Sequence, residues 1–383
     1  MKPSSPLVIL IFSVLLFTLL EIIGTSMSMI KPLWRDELNT QSYTIHESYT
    51  DILKGRNPME GNRAPLFYLT QKLFCDALGF KTPQAWLKGH WDEIDPAANL
   101  SLRILPVIWM SLFFVLIFSY FSIRFNVLVG IFGFLTALSY PLLWLYWSEA
   151  RPYSLWVLLT GIQMVLFLDI LMMNNRNRAT WFGLSLTHCL LALTCALSVF
   201  QILIVSLILL TKERQSLKYI LGLFLPAVIL FCYWPLGTGD NVIFITTVPP
   251  IFFSTVQINQ IAVLALYLIL LRIQALVCFN DQLGRALPFF LGIFMMLIST
   301  YTFLIHLHAH ASGHGQFVIQ RHILFLVPVV VIALTYLLGL IAQSLKSQIL
   351  KIILITGMIA ILLLPVPEFT IKIHYMLSHS PYV

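Results

Sequence analysis

Asp36 and Glu37 follow the first long apolar stretch of the chain, inside Trp34-Arg35-Asp36-Glu37. A carboxylate at such a boundary can take a proton from an acceptor hydroxyl, and partial burial raises its pKa toward working pH. The competing reading is that the pair only solvates the start of a loop beside Lys31 or Arg35, as interfacial charges commonly do. Arginines supply a second feature: Arg35, Arg63, Arg103, Arg151 and Arg321 all lie near the borders of apolar segments or in the loop between them. A guanidinium presents a rigid fork to phosphate oxygens and stays charged near lipid, so a converging set points to a phosphate or pyrophosphate. Each of them alone reads equally well as an exposed or snorkelling side chain.

Other candidates are weaker. A helix through His306, His310 and His314 would align them at metal-binding spacing, with His308 between, but Ser312-Gly313 interrupts it and favours a solvated or substrate-contacting loop. Glu21, within the first apolar stretch, is either a site residue or half of an intramembrane pair. Glu60 and Glu149 are loop carboxylates for which a structural role is the simpler reading. The five cysteines, at 75, 189, 195, 232 and 278, form no CxxC pair and are expected as free thiols.

The elements that must position these groups are membrane helices. The chain has 383 residues, of which 59% are hydrophobic and 10% charged, and its mean hydropathy is +0.88. A soluble globule is only about 45–50% apolar, so an all-α polytopic membrane protein is expected. The net charge of +7 sits mostly beside apolar runs, which suits lipid phosphates and no nucleic acid. A span needs about 20 apolar residues. That length places spans at Pro6–Ser28, Leu102–Phe121, Asn126–Trp147, Tyr153–Met173, Leu217–Leu236, Thr255–Phe279, Ala286–His306, His322–Ala342 and Gln348–Pro365. The first is long enough to be read as a retained helix rather than a signal peptide.

The run Trp181–Leu210 is longer than one span. Positively charged loops face the cytoplasm, which puts the connections holding Arg124, Arg176 with Arg178, Lys212 with Arg214, Arg285, and Lys346 with Lys351 inside. Two of these bracket Trp181–Leu210, so it must be a hairpin of two short helices turning near Thr194–Gln201. The total is about 11 crossings in a single domain over 1–383, with no separate soluble domain. The loop 29–101 is then exoplasmic. Within it, Ile45, Tyr49, Ile52 and Leu53 predict an interfacial helix over Asn39–Leu53. A second helix is predicted to start at Pro65 with Leu66, Leu69, Leu73 and Ala77 on its apolar stripe.

Five fragments, in order, carry a family resemblance: Trp34-Arg35-Asp36-Glu37, Arg63-Ala64-Pro65-Leu66-Phe67-Tyr68, Leu102-Arg103-Ile104-Leu105-Pro106, Ser148-Glu149-Ala150-Arg151-Pro152-Tyr153 and Gln320-Arg321-His322-Ile323-Leu324. The set resembles the dolichyl-phosphate-mannose protein mannosyltransferase-like glycosyltransferases, whose fold is of the GT-C type.

The resemblance implies an enzyme that moves one sugar, with inversion, from a polyprenyl-phosphate donor to a glycan, lipid or protein acceptor on the exoplasmic face. Asp36 is implied as the general base and Glu37 as its orienting neighbour, the two catalytic candidates. Arg35, Arg63, Tyr68, Arg103, Glu149, Arg151, Tyr153 and Arg321 are the implied substrate-binding set, with Arg151 and Arg321 on the carrier phosphate. A divalent metal is a candidate cofactor with no ligands assigned, because Asn62-Arg63-Ala64-Pro65 lacks the acidic residue that some relatives carry there. A bacterial inner membrane is the expected location. The alternative from another class is a transporter or flippase of lipid-linked sugars, which would show repeats and broken helices meeting at the midplane.

Overall fold

The computed structural model describes residues 5–55 apart from 32 and 34, then 64–87, 94–173, 177–212, 288–300 and 324–344, with scattered single positions in 222–229 and 347–359. The described chain is helical throughout. Among the described residues, four helices are long and apolar enough to cross a membrane: α1 (Pro6–Ile30), α6 (Pro96–Arg124), α9 (Tyr153–Met173, apolar over Tyr153–Leu171) and α13 (Leu326–Ser344). α7 (Val127–Leu138) and α8 (Pro141–Trp147) make a fifth span when counted as one, and the protein is an integral membrane protein. The expected spans Leu217–Leu236, Thr255–Phe279 and Gln348–Pro365 lie outside the described residues, and of Ala286–His306 the described part is α12 (Pro288–Thr300).

Asn126–Trp147 is not the straight span the hydropathy predicts. It bends by 73° between α7 and α8. Pro141 opens α8 and has no N–H to continue the ladder, and its ring disfavours helical geometry at Tyr140, which is extended with ψ 112°. Trp181–Leu210 does break into two helices, α10 (Arg178–Ala192) and α11 (Val199–Lys212), joined through a 3₁₀ turn at Ala196–Ser198.

α1 and α6 run antiparallel, and their register is set by small and polar residues. Ser13 Oγ lies 2.7 Å from Ser119 Oγ at one end, and Asn99 Nδ2 donates to the Lys31 carbonyl at 3.2 Å at the other. Between them, Gly24 lets the helices meet: a Cβ there would lie 2.5 Å from Val107 Cγ1 and 3.0 Å from Trp147 Nε1. Glu21, one turn away, is half-buried beside Ser111 of α6. α1 keeps one face outward, with Leu7, Leu10, Leu15 and Ile22 exposed, whereas α13 is buried along nearly its whole length. Arg124, Arg178 and Lys212 all sit at the helix ends opposite Lys31.

The segment between α1 and α6 folds onto the Lys31 end. It carries α2 (Arg35–His46), α3 (Tyr49–Leu53), α4 (Leu66–Leu78) and α5 (Gln84–Leu87). The single helix predicted over Asn39–Leu53 is in fact two, because Ser48 caps α3 by accepting from the Asp51 N–H at 3.1 Å. That serine side chain competes for the backbone bond a continuous helix would need. α4 starts after Pro65 as predicted and stops at Gly79, which takes φ 62°. Its stripe is shifted, however: Phe67, Tyr68, Gln71, Lys72 and Cys75 are buried, while Leu73 is exposed. The Gln71 amide explains the shift, since it donates to the Leu102 carbonyl at 2.8 Å and anchors that face on α6. α6 itself begins at Pro96, with Asp95 capping Ala98, so the loop assigned to 29–101 ends in helix. Cys75, Cys189 and Cys195 are free thiols, and Cys232 and Cys278 lie outside the described residues.

The close approach at Gly24 gives a direct test. Gly24→Ala forces Val107, whose β-branched side chain has little freedom, to move. Overpacking of this kind typically costs about 1–3 kcal/mol, so the variant's thermal unfolding midpoint in lipid nanodiscs falls below that of the unaltered chain. An unchanged midpoint would mean that α1 and α6 cross elsewhere.

Candidate active site

The buried face of α2 is polar. Glu37, Thr40, Gln41 and Thr44 occupy i, i+3, i+4 and i+7, one helical stripe, and each is at most 2% exposed. Such a stripe is stable only if its groups find partners. They do: Gln41 Nε2 donates to Thr82 Oγ1 at 3.0 Å, Thr44 accepts from Lys72 Nζ through its carbonyl at 3.3 Å, and Thr40 Oγ1 accepts from Arg151 Nη1 at 3.0 Å. A hydropathy stripe cannot find this face, because it looks for apolar residues.

Glu37 is its anchor. Arg103 of α6 forks onto it, with Nε 2.8 Å from Oε1 and Nη2 2.6 Å from Oε2, and the Ala150 N–H donates to Oε1 at 2.8 Å. Arg103 Nη1 turns the other way, to the carbonyls of Ser28, at 3.0 Å, and Lys31 at the end of α1. Both side chains are fully buried. Burial pushes the Glu37 carboxyl up, but the Arg103 charge and its hydrogen bonds, then Lys31 and the Ala150 N–H, outweigh it and hold the group below the usual carboxylate range. Four parts of the chain, namely the α1 terminus, α2, α6 and the turn before α9, meet on this one ion pair.

Asp36, the next residue, points elsewhere. Its side chain keeps 22% of its exposure, and Arg151 Nη2 lies 3.9 Å from its Oδ2. Arg151 Nη1 also donates to the Asp36 carbonyl at 3.2 Å. The guanidinium is therefore fixed against the backbone of α2 and against Thr40, while its ion pair to the Asp36 carboxylate stays loose. Tyr153 stands beside it, with its ring centre 6.0 Å from Arg151 Cζ. Tyr68 of α4 is fully buried and packs edge-on to Tyr43 of α2, with ring centres 4.9 Å apart, so it braces α2 from below.

A second buried pair completes the group. Lys31 Nζ is 3.4 Å from Glu149 Oε1, and both side chains are at most 5% exposed. Among the described residues, none donates a hydrogen bond to Glu149 Oε2. Burial pushes the Glu149 carboxyl up to about 7, with Lys31 and Arg103 opposing and the neighbouring Glu37 charge adding to the rise.

Of the residues singled out from sequence, Asp36, Glu37, Arg103, Glu149, Arg151 and Tyr153 come together, with Tyr68 beneath α2. Arg35 lies in the first turn of α2. Trp34, Glu60, Arg63, Arg321 and the His306–His314 stretch lie outside the described residues. Arg103 and Glu149 are both fully buried. Lys31 and Thr40 were not singled out as site residues. Thr40 was open to discovery one helical turn after Asp36, and Lys31 as the cation that closes the first span. No group of three or more His, Cys, Asp or Glu gathers as a metal would require among the described residues. The three site carboxylates each face a cation instead, a donor set that does not fit a divalent ion.

Removing one partner of a buried ion pair strands the other. Glu37→Gln leaves Arg103 without a carboxylate and costs about 3–5 kcal/mol, read as a lowered denaturation midpoint of the full chain at neutral pH. Because the Glu37 carboxyl is held low, its contribution is present above its ordinary value of 4.5 and is lost only as pH falls through the depressed value. The deficit of the variant should thus shrink in acid, and a deficit independent of pH would remove the charge from the explanation.

No protein-family model matches this chain, and no curated protein matches it.

Proposed function

We propose that the chain is a membrane glycosyltransferase of the GT-C type, with about 11 membrane crossings and its site on the exoplasmic face. It transfers a sugar, with inversion, from a polyprenyl-phosphate donor to an acceptor hydroxyl. The observation that carries the reading is the contrast between two adjacent carboxylates: Glu37 is fully buried in a bidentate fork with Arg103, while Asp36 beside it is partly exposed, with Arg151 3.9 Å from its Oδ2. A base must reach its substrate and be held still, and that division of labour supplies both. Also in support, residues from four of the five resembling fragments, far apart in sequence, meet at or beside this place.

In this reading Asp36 Oδ2 takes the proton of the acceptor hydroxyl as its oxygen attacks the anomeric carbon. The bond from that carbon to the carrier phosphate breaks, and the phosphate leaves with the electron pair. Arg151, whose ion pair to Asp36 is long, shares its charge with the departing phosphate. Arg321 would join it there. Glu37 orients α2 and has no proton to move, and Tyr153 lines the approach. The acceptor is a glycan, a lipid or a protein hydroxyl.

Asp36→Asn abolishes transfer of label from a carrier-linked sugar in membranes that contain normal amounts of the inserted protein. Undiminished transfer by that variant removes Asp36 as the base, and substrate movement without release of free polyprenyl phosphate would favour a lipid-linked sugar transporter. Arg321→Ala loses activity chiefly through weaker donor binding, seen as a raised KM for the carrier. An unaltered donor dependence takes Arg321 out of the site.

A further inference from the structure

Glu149 is the carboxyl whose bonding is left incomplete. Glu37 takes the fork of Arg103 and the Ala150 N–H, so among the described residues the Glu149 carboxyl has only Lys31, at 3.4 Å, and its Oε2 is buried without a hydrogen-bond partner there. Among the described residues, the charged groups that face it are Lys31 at the end of α1, Glu37 from α2 and Arg103 from α6. Its own turn adds Arg151, whose N–H donates to the Glu149 carbonyl at 2.7 Å and whose guanidinium reaches Asp36. α8 carries no charged residue. With all ionised, the buried set of Lys31, Arg103, Glu37 and Glu149 holds two positive and two negative charges and sums to zero. One proton on Glu149 leaves it with a net positive charge, two residues along the chain from Arg151.

We propose that Glu149 couples proton uptake to the binding of a phosphodiester anion at Asp36 and Arg151. The inference rests on reading that place as the carrier-phosphate site. In a poorly solvated setting the field of one buried charge reaches neighbouring groups with little screening. A protonated Glu149 therefore tightens anion binding, an ionised one weakens it, and by linkage a bound anion draws the proton on.

The position of the titration supports this, since burial pushes the group up to about 7. The sign of its effect on the fold makes a usable variant. For a carboxyl raised above its ordinary 4.5, the stabilisation is present below that value and lost as pH rises through about 7. Glu149→Gln, which resembles the protonated form, is thus expected to hold the fold at alkaline pH no worse than the unaltered chain.

The test is calorimetric titration of the full chain in nanodiscs with a short-chain isoprenyl phosphodiester, which keeps one negative charge throughout the range. The unaltered chain binds it about fivefold or more tightly at about pH 5.5 than at about pH 8.5. Near pH 7 it takes up a fraction of a proton, seen by comparing buffers of different ionisation heat. Glu149→Gln binds with the acid-limit affinity at every pH and takes up no proton. Lys31→Met, which removes the cation that lowers Glu149, moves the midpoint to higher pH. Binding that is absent, or independent of pH in the unaltered chain, overturns the proposal, as does a pH dependence that survives in Glu149→Gln. Binding with this proton linkage in a chain that transfers no sugar would instead retire the transferase reading alone.

Discussion

The buried ion pair of Glu37 and Arg103 is the constraint on which the rest of the site depends. Burying two charges is expensive, and the attraction between them repays it only when the geometry is good and the remaining donors are satisfied. Here the fork is bidentate, and the spare guanidinium nitrogen reaches the backbone that ends α1. Because the partners come from separate elements, satisfying them fixes where α2 lies on the bundle. Asp36 inherits its position from that fit. Its exposure is a by-product of the helical register, in which the residue before a fully buried one turns roughly 100° away.

Glycine and polar residues, more than apolar bulk, set the register of α1 against α6 along their length. Lipid is as apolar as leucine, so packing of membrane helices relies on close approach and hydrogen bonding. Gly24 provides the first at the crossing of α1 and α6, and Ser13 with Ser119 and Asn99 with Lys31 provide the second. The same logic reappears deeper between α9, α10 and α11. There Gln163 meets His188 at 2.8 Å and Thr160 meets Gln201 at 3.3 Å, all buried.

The spans were legible in the sequence because they obey a one-dimensional rule of length and hydropathy, as α1, α6, α9 and α13 do. The break in Trp181–Leu210 was legible because loop charge must alternate between sides. What escaped was set by side chains acting across distance. The bend at Pro141 was hidden by an unbroken apolar composition, and the split at Ser48 by a plausible apolar stripe. The polar inner face of α2 was invisible for a related reason: a Glu or Gln reads as solvent-facing until its partner, 66 residues away in the case of Arg103, is known. Lys31 and Glu149, 118 residues apart, show the same limit. The place of Asp36 and Glu37 after the first span could be read from the chain, whereas the full burial of Glu37 and the partial exposure of Asp36 could not.

The clamp also has a history in time. Arg103 lies on the second long helix and the Ala150 N–H on the turn before α9, so Glu37 cannot be fully bonded until the chain has been made past residue 150. Domains and segments assemble as they emerge, N-terminal parts first. Until that turn arrives, Glu37 remains incompletely bonded and must keep access to water, and α2 has no fixed seat. The clamp is thus completed by a turn rather than by a span.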